Sequence, residues 1–185
     1  MEDQRIGFYQ LLTDQERKRL IGALLVTDEL GKPEEFRVTY PVKPTMIQRQ
    51  LYGDSLVTHV GVELCGEPLF TALREKPTLL LVSHPELLVL ATSVTAHVAH
   101  LEKAGATLVV NDATKGPRPR QEQIQSTSGR FEPIRVTYPI SYTPEEQGNT
   151  ARLIADFFGG IDLLEPFHRI TVAMQVLQEQ DEKFR

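Results

Sequence analysis

The sequence predicts an α/β or α+β domain, with a mixed, largely antiparallel sheet and helices flanking it. Three observations predict it. Apolar runs of strand length, at 21–27, 77–82 and 106–110, alternate with stretches that open like helices. Arg37-Val38-Thr39-Tyr40-Pro41 recurs letter for letter as Arg135-Val136-Thr137-Tyr138-Pro139. The lead-in to each copy matches as well: Ala23-Leu24-Leu25-Val26-Thr27-Asp28 with Gly31-Lys32-Pro33 before the first, Ala106-Thr107-Leu108-Val109-Val110-Asn111 with Lys115-Gly116-Pro117 before the second. Such self-similarity speaks of architecture, two related hairpin-plus-helix units at about 21–73 and 104–158 within one domain, 1–185. It says nothing of chemistry.

Thr13-Asp14-Gln15-Glu16 has capping-box spacing, so a short helix is expected from Asp14 to about Leu20. Ile21 to Thr27 is a continuous apolar run that reads as a strand buried on both faces. Gly31-Lys32-Pro33 turns the chain, and 36–40 returns as a strand that Pro41, lacking an amide proton, should end. From Pro44 to about Arg74 a helical stripe of Met46, Leu51, Leu56, Val60, Leu64 and Leu69 is interrupted by Gly53, Gly61, Gly66 and Pro68, and Val57-Thr58-His59-Val60-Gly61-Val62 reads equally as a strand. Strands follow at 77–82, 96–101 and 106–110, with a helical turn from Pro85. The stretch 111–130 is poor in apolar residues and reads as a long exposed loop. A strand is expected at 131–138. Thr143-Pro144-Glu145-Glu146 then opens a helix that Gly159-Gly160 stops. The last helix, 164–181, carries Leu164, Phe167, Ile170, Met174 and Leu177 on one face.

An apolar fraction of 41% and a charged fraction of 24% are those of an ordinary globular protein, and a net charge of −5 lacks the basic field of a dedicated nucleic-acid binder. The acidic start has no signal-peptide pattern and no apolar run is long enough to span a bilayer. With a single cysteine no internal disulfide is possible, so a cytoplasmic protein is expected, with no membrane contact.

Few residues carry candidate chemistry. Cys65 reads as a small buried apolar residue, because a thiol nucleophile needs a base in reach and His59, six positions earlier, is off its helix face. His84, His97 and His100, with Glu86 and Glu102 nearby, show no metal-ligand spacing. Ser83-His84-Pro85-Glu86 does follow a buried strand, where open α/β sheets bind ligands. No phosphate-binding or hydrolase signature occurs, so no cofactor and no metal are expected. The loop carries Lys115, Arg118, Arg120 and Arg130 against Asp112 and Glu122, and these four cations are the candidate binding residues.

Gly22-Ala23-Leu24-Leu25-Val26-Thr27-Asp28, Glu35-Phe36-Arg37-Val38-Thr39, Lys43-Pro44-Thr45 with Gln50-Leu51-Tyr52-Gly53, Glu63-Leu64-Cys65-Gly66-Glu67-Pro68-Leu69 and Asp162-Leu163-Leu164-Glu165-Pro166-Phe167 resemble segments of an uncharacterised family of bacterial proteins. That resemblance implies no activity and no catalytic residues. The opening hairpin, 22–38, also resembles roadblock and longin modules, which implies a non-enzymatic binding or dimerising domain. Because the clearest signal in the chain is repeated scaffold and no convergent catalytic set appears, the first reading is a non-catalytic protein-interaction or regulatory module, with a protein partner or self-association. The alternatives are a small enzyme using His84, His97, His100 or Cys65, and a nucleic-acid accessory protein using the basic loop 115–130; nucleic acid is the less favoured partner.

Overall fold

Backbone alternation and burial sort the strands into one sheet of seven, in the order β3-β2-β1-β4-β5-β7-β6. In the computed structural model, which describes residues 4–14, 18–105 and 116–185, β1 (Ile6–Asp14), β2 (Arg19–Thr27) and β3 (Pro33–Val38) form an antiparallel meander. β4 (Leu79–Val82) lies parallel to β1, and β5 (His97–Lys103) lies parallel to β4. β7 (Ile134–Thr137) returns antiparallel to β5, and β6 (Gln121–Ile124) closes the edge antiparallel to β7. The fold is thus mixed α/β with a mostly antiparallel seven-stranded sheet and flanking helices, as the periodicity implies.

Both faces of the sheet are apolar and both are covered. Tyr9, Leu11, Leu24, Val26, Leu80, Val82 and Val98 form one face. Over it lies an irregular helical run: α1 (Met46–Tyr52), a 3-10 turn (Gly53–Ser55), α2 (Leu56–Thr58), a π-helix (His59–Gly66) and α3 (Glu67–Ala72). A 3-10 helix, Pro85–Thr92, completes that layer. Ile6, Phe8, Ile21, Leu79, Leu81 and Ala99 form the other face, under α4 (Pro144–Phe158) and α5 (Glu165–Gln180). Burial on both faces explains why β2 and β4 read as continuous apolar runs. Among the described residues no helix is long and apolar enough to cross a membrane.

The glycines that interrupt the helical stripe have a packing reason. A Cβ on Gly61 would sit 2.5 Å from Leu87 Cδ2, and one on Gly22 in β2 would sit 2.6 Å from Cys65 Cβ. The missing side chains let the π-helix lie directly against β2 and the 3-10 helix. Tyr9 Oη donates to the Gly61 carbonyl oxygen at 2.5 Å, so the strand below also supplies a hydrogen-bond donor to a helix whose bonding is irregular.

Four local expectations change. The helix expected over 14–20 is the end of a β-hairpin in which Asp14 faces Arg19, because pairing along the whole of β1 outweighs a local cap. β1 itself went unread: Gly7 and burial on both faces erase its alternation. The loop 111–130 contains β6, a short, half-exposed edge strand whose polar sequence resembles a loop. Finally, the two pentapeptides occupy different positions. Arg37-Val38 ends edge strand β3, whereas Arg135–Thr137 lie in β7, which has strands on both sides. The strand expected at 106–110 and the first five residues of the loop, 111–115, lie outside the described residues.

Candidate functional site

The carboxyl ends of parallel β1, β4 and β5 are where a sheet of this kind presents ligand-binding groups. Ser83 and His84 leave the end of β4 there, with Ser83 Oγ 2.8 Å from His84 Nδ1. Opposite Val82, β5 carries His100 on the same face as Val98. His100 is 7% exposed and its buried Nδ1 has no hydrogen-bond partner among the described residues. Burial pushes its pKa below the ordinary histidine value, against the pull of Glu102; His84 adds to the lowering and Glu86 opposes it. Glu102 is itself engaged, 3.0 Å from Arg135 Nη1.

The three histidines of the sequence do not form one group. His97 points to the opposite face, where Thr150 donates to the Glu146 carbonyl at 2.7 Å. The Thr150 oxygen, 3.0 Å from His97 Nδ1, is therefore left as an acceptor, which sets Nδ1 of His97 as the donor. Cys65 is fully buried with its Sγ 3.7 Å from Thr39 Oγ1, and burial raises its thiol pKa. Its nearest histidine in sequence, His59, instead pairs with Glu63 at 3.0 Å and stacks on Tyr52 at 4.5 Å. No cysteine–histidine pair is formed.

Between β1 and β4 the sheet is sealed by Tyr9 and its bond to Gly61, with Leu11 and Leu87 packed at the same glycine. Among the described residues no three His, Cys, Asp or Glu side chains converge as metal ligands.

Beside this edge a cleft of about 320 Å³ opens between the 3-10 helix Pro85–Thr92 and the turn after β7. Its walls include Pro85, Leu88, Val89, Pro119, Pro139 and Ile140, and Val89 and Ile140 are 48% and 59% exposed at the surface. Pro119 is one of its lining residues, and two of the predicted cations, Arg118 and Arg120, are its immediate neighbours in the chain. Arg120 is fixed there: its carbonyl accepts from Tyr138 N at 3.0 Å and its Nη1 donates to Gln147 Oε1 at 3.0 Å. Arg130 lies at the other end of the β6–β7 hairpin, 5.6 Å over the Phe131 ring. Lys115 lies outside the described residues. Among the described cations of that loop, Arg118 and Arg120 flank the cleft residue Pro119 in the chain, whereas Arg130 lies apart.

Sequence reasoning missed the cleft because its walls come from four separate segments. It missed Arg19 too. This cation is 3% exposed and ion-paired with Asp14 at 2.9 Å, and the only sequence signal was a charge opening an apolar run.

No protein-family model matches the sequence, and no curated protein matches it significantly. Solved structures do match. Endonuclease V from Bacillus subtilis superposes with a TM-score of 0.59 at 8% identity, covering 96% of this chain and 84% of that one. The catalytic domain of human Endonuclease V gives 0.54 at 16% identity, over 84% and 74%. Ciona intestinalis Endonuclease V, in complex with a 23mer DNA containing an inosine followed by a ribo-adenosine, gives 0.51 at 12% identity, over 84% and 77%. These neighbours overturn both the resemblance to an uncharacterised bacterial family and the likeness to roadblock and longin modules. The latter rested on one hairpin, whereas the match runs through the parallel centre of the sheet. The protein-interaction reading, drawn from the repeated scaffold and the lack of a convergent catalytic set, is overturned as well. At these identities the likeness establishes one thing, that this chain has the fold of the Endonuclease V structures.

Proposed function

We propose that this protein binds nucleic acid, with the cleft walled by Pro119 and Pro139 as the contact site and Arg118 and Arg120 as its phosphate contacts. The observation that carries the reading is the conjunction of this fold, whose neighbours include a DNA-bound Endonuclease V, with an apolar cleft lined by Pro119, whose chain neighbours are Arg118 and Arg120, Arg120 being held by Gln147. Guanidinium groups meet phosphate oxygens in fork geometry, and an apolar recess beside them suits the flat face of a base. The proposal is of binding, as an accessory protein, not of cutting.

Fluorescence anisotropy with labelled single-stranded and duplex DNA, with and without a deoxyinosine, tests this. Arg118→Ala with Arg120→Ala should weaken binding and reduce the slope of log K against log salt by roughly one per lost contact. The same samples, run on denaturing gels after incubation with magnesium or manganese, should show intact strands. No binding at low salt, or binding indifferent to both substitutions, overturns the reading; metal-dependent cleavage replaces it with a nuclease.

A further inference from the structure

We propose that the pocket beneath α5 at the β1–β2 hairpin binds a compact oxyanion, phosphate or carboxylate, on the guanidinium of Arg19. The pocket holds about 340 Å³ and its polar wall is Thr13, Asp14, Arg19, Thr171, Gln175 and Gln178. Arg19 shares its strand face with Ile21 and Ala23, which belong to the core under α4 and α5, so the side chain enters the pocket from the sheet.

The donor pattern of Arg19 is incomplete. Its side chain is 2% exposed, yet its only partner among the described residues is Asp14, whose Oδ2 accepts from Nη2 at 2.9 Å. Nε is buried with no acceptor. Buried polar groups are nearly always hydrogen-bonded, and the Nε and Nη2 edge of a guanidinium matches two oxygens of one oxyanion. The pocket side of Arg19 is therefore built for one more acceptor. Gln175 and Gln178 bring amide donors from one face of α5, and neither side chain hydrogen-bonds within the described residues.

The electrostatics favour a negative ligand. A second pocket of about 380 Å³ shares Thr13, Asp14 and Arg19 and adds Lys18 and Arg49. Arg49 reaches over to donate to the Lys18 carbonyl at 2.5 Å, holding both cations at the hairpin. Among the described residues lining the two pockets, three cations, Lys18, Arg19 and Arg49, stand against one carboxylate, Asp14. This site is separate from Arg118 and Arg120 and does not rest on the nucleic-acid reading.

Thermal melts of the full chain in increasing inorganic phosphate or acetate, against chloride at matched ionic strength, test it. A ligand that binds only the native state raises the midpoint saturably. Phosphate or acetate should do so where chloride does not, and the more effective of the two identifies the ligand class. Arg19→Lys loses the fork and should weaken the apparent affinity at least roughly tenfold. If that buried substitution impairs folding, Gln178→Leu on half-exposed α5 serves instead and should weaken it several-fold, while Arg152→Ala on α4 should leave it unchanged. No saturable rise with either anion overturns the proposal, as does a rise that Arg19→Lys or Gln178→Leu leaves intact.

Discussion

At the scale of single residues, two buried polar groups carry measurable consequences. Tyr9 Oη is the hydrogen-bond donor to the Gly61 carbonyl inside the π-helix. Tyr9→Phe leaves that oxygen buried without this partner and should cost about 1–3 kcal/mol in a urea melt. His100 is buried with a lowered pKa, so the unfolded chain binds its proton more tightly than the native one. The stability this histidine contributes is present above the unfolded value of about 6.5 and is lost as pH falls below it. His100→Gln should flatten the denaturant midpoint against pH in that window. An unchanged profile would assign the dependence to another group.

At the scale of elements, glycine has opposite meanings in two helices. Gly61 lies where a Cβ would strike Leu87 and Leu11. Gly61→Ala should therefore destabilise by roughly 1–3 kcal/mol through overpacking. Gly148 sits inside α4 with nothing within 4 Å of an added Cβ. Gly148→Ala should stabilise by about 0.5–1 kcal/mol, from backbone entropy alone. Paired thermal melts check both signs. On α5, Phe167 meets Phe8 edge to face at 5.7 Å but is only half-buried. Phe167→Ala should accordingly cost less than the roughly 3–5 kcal/mol of a fully buried ring, measured by denaturant melt.

At the scale of the whole molecule, the sheet's edges matter. β6 covers the outer side of β7, and Ser126 Oγ, buried just beyond it, donates to the Phe158 carbonyl at 2.9 Å. Replacing 116–130 with a short turn should therefore lower the melting midpoint by several degrees, since it bares a strand and unseats α4. An unchanged midpoint would mean that β6 is a passive fringe, as a reading of 111–130 as simple loop implies.

Much of the architecture was legible without coordinates. Continuous apolar runs marked β2 and β4 because strands buried on both faces have no polar side to alternate with. Thr143-Pro144-Glu145-Glu146 marked the start of α4 because its groups satisfy one another: Thr143 Oγ1 accepts from Glu146 N at 3.2 Å, and Glu146 accepts from Thr143 N at 2.7 Å. Those bonds also hold the Glu146 carboxyl below its usual range. Such signals are local, so the chain alone determined them. The pairing of β1 with β4, the division of Arg118 and Arg120 from Arg130, and the orphaned edge of Arg19 were decided only in the folded state. Each depends on groups far apart in sequence, and no local pattern records which distant backbone or acceptor a residue will meet.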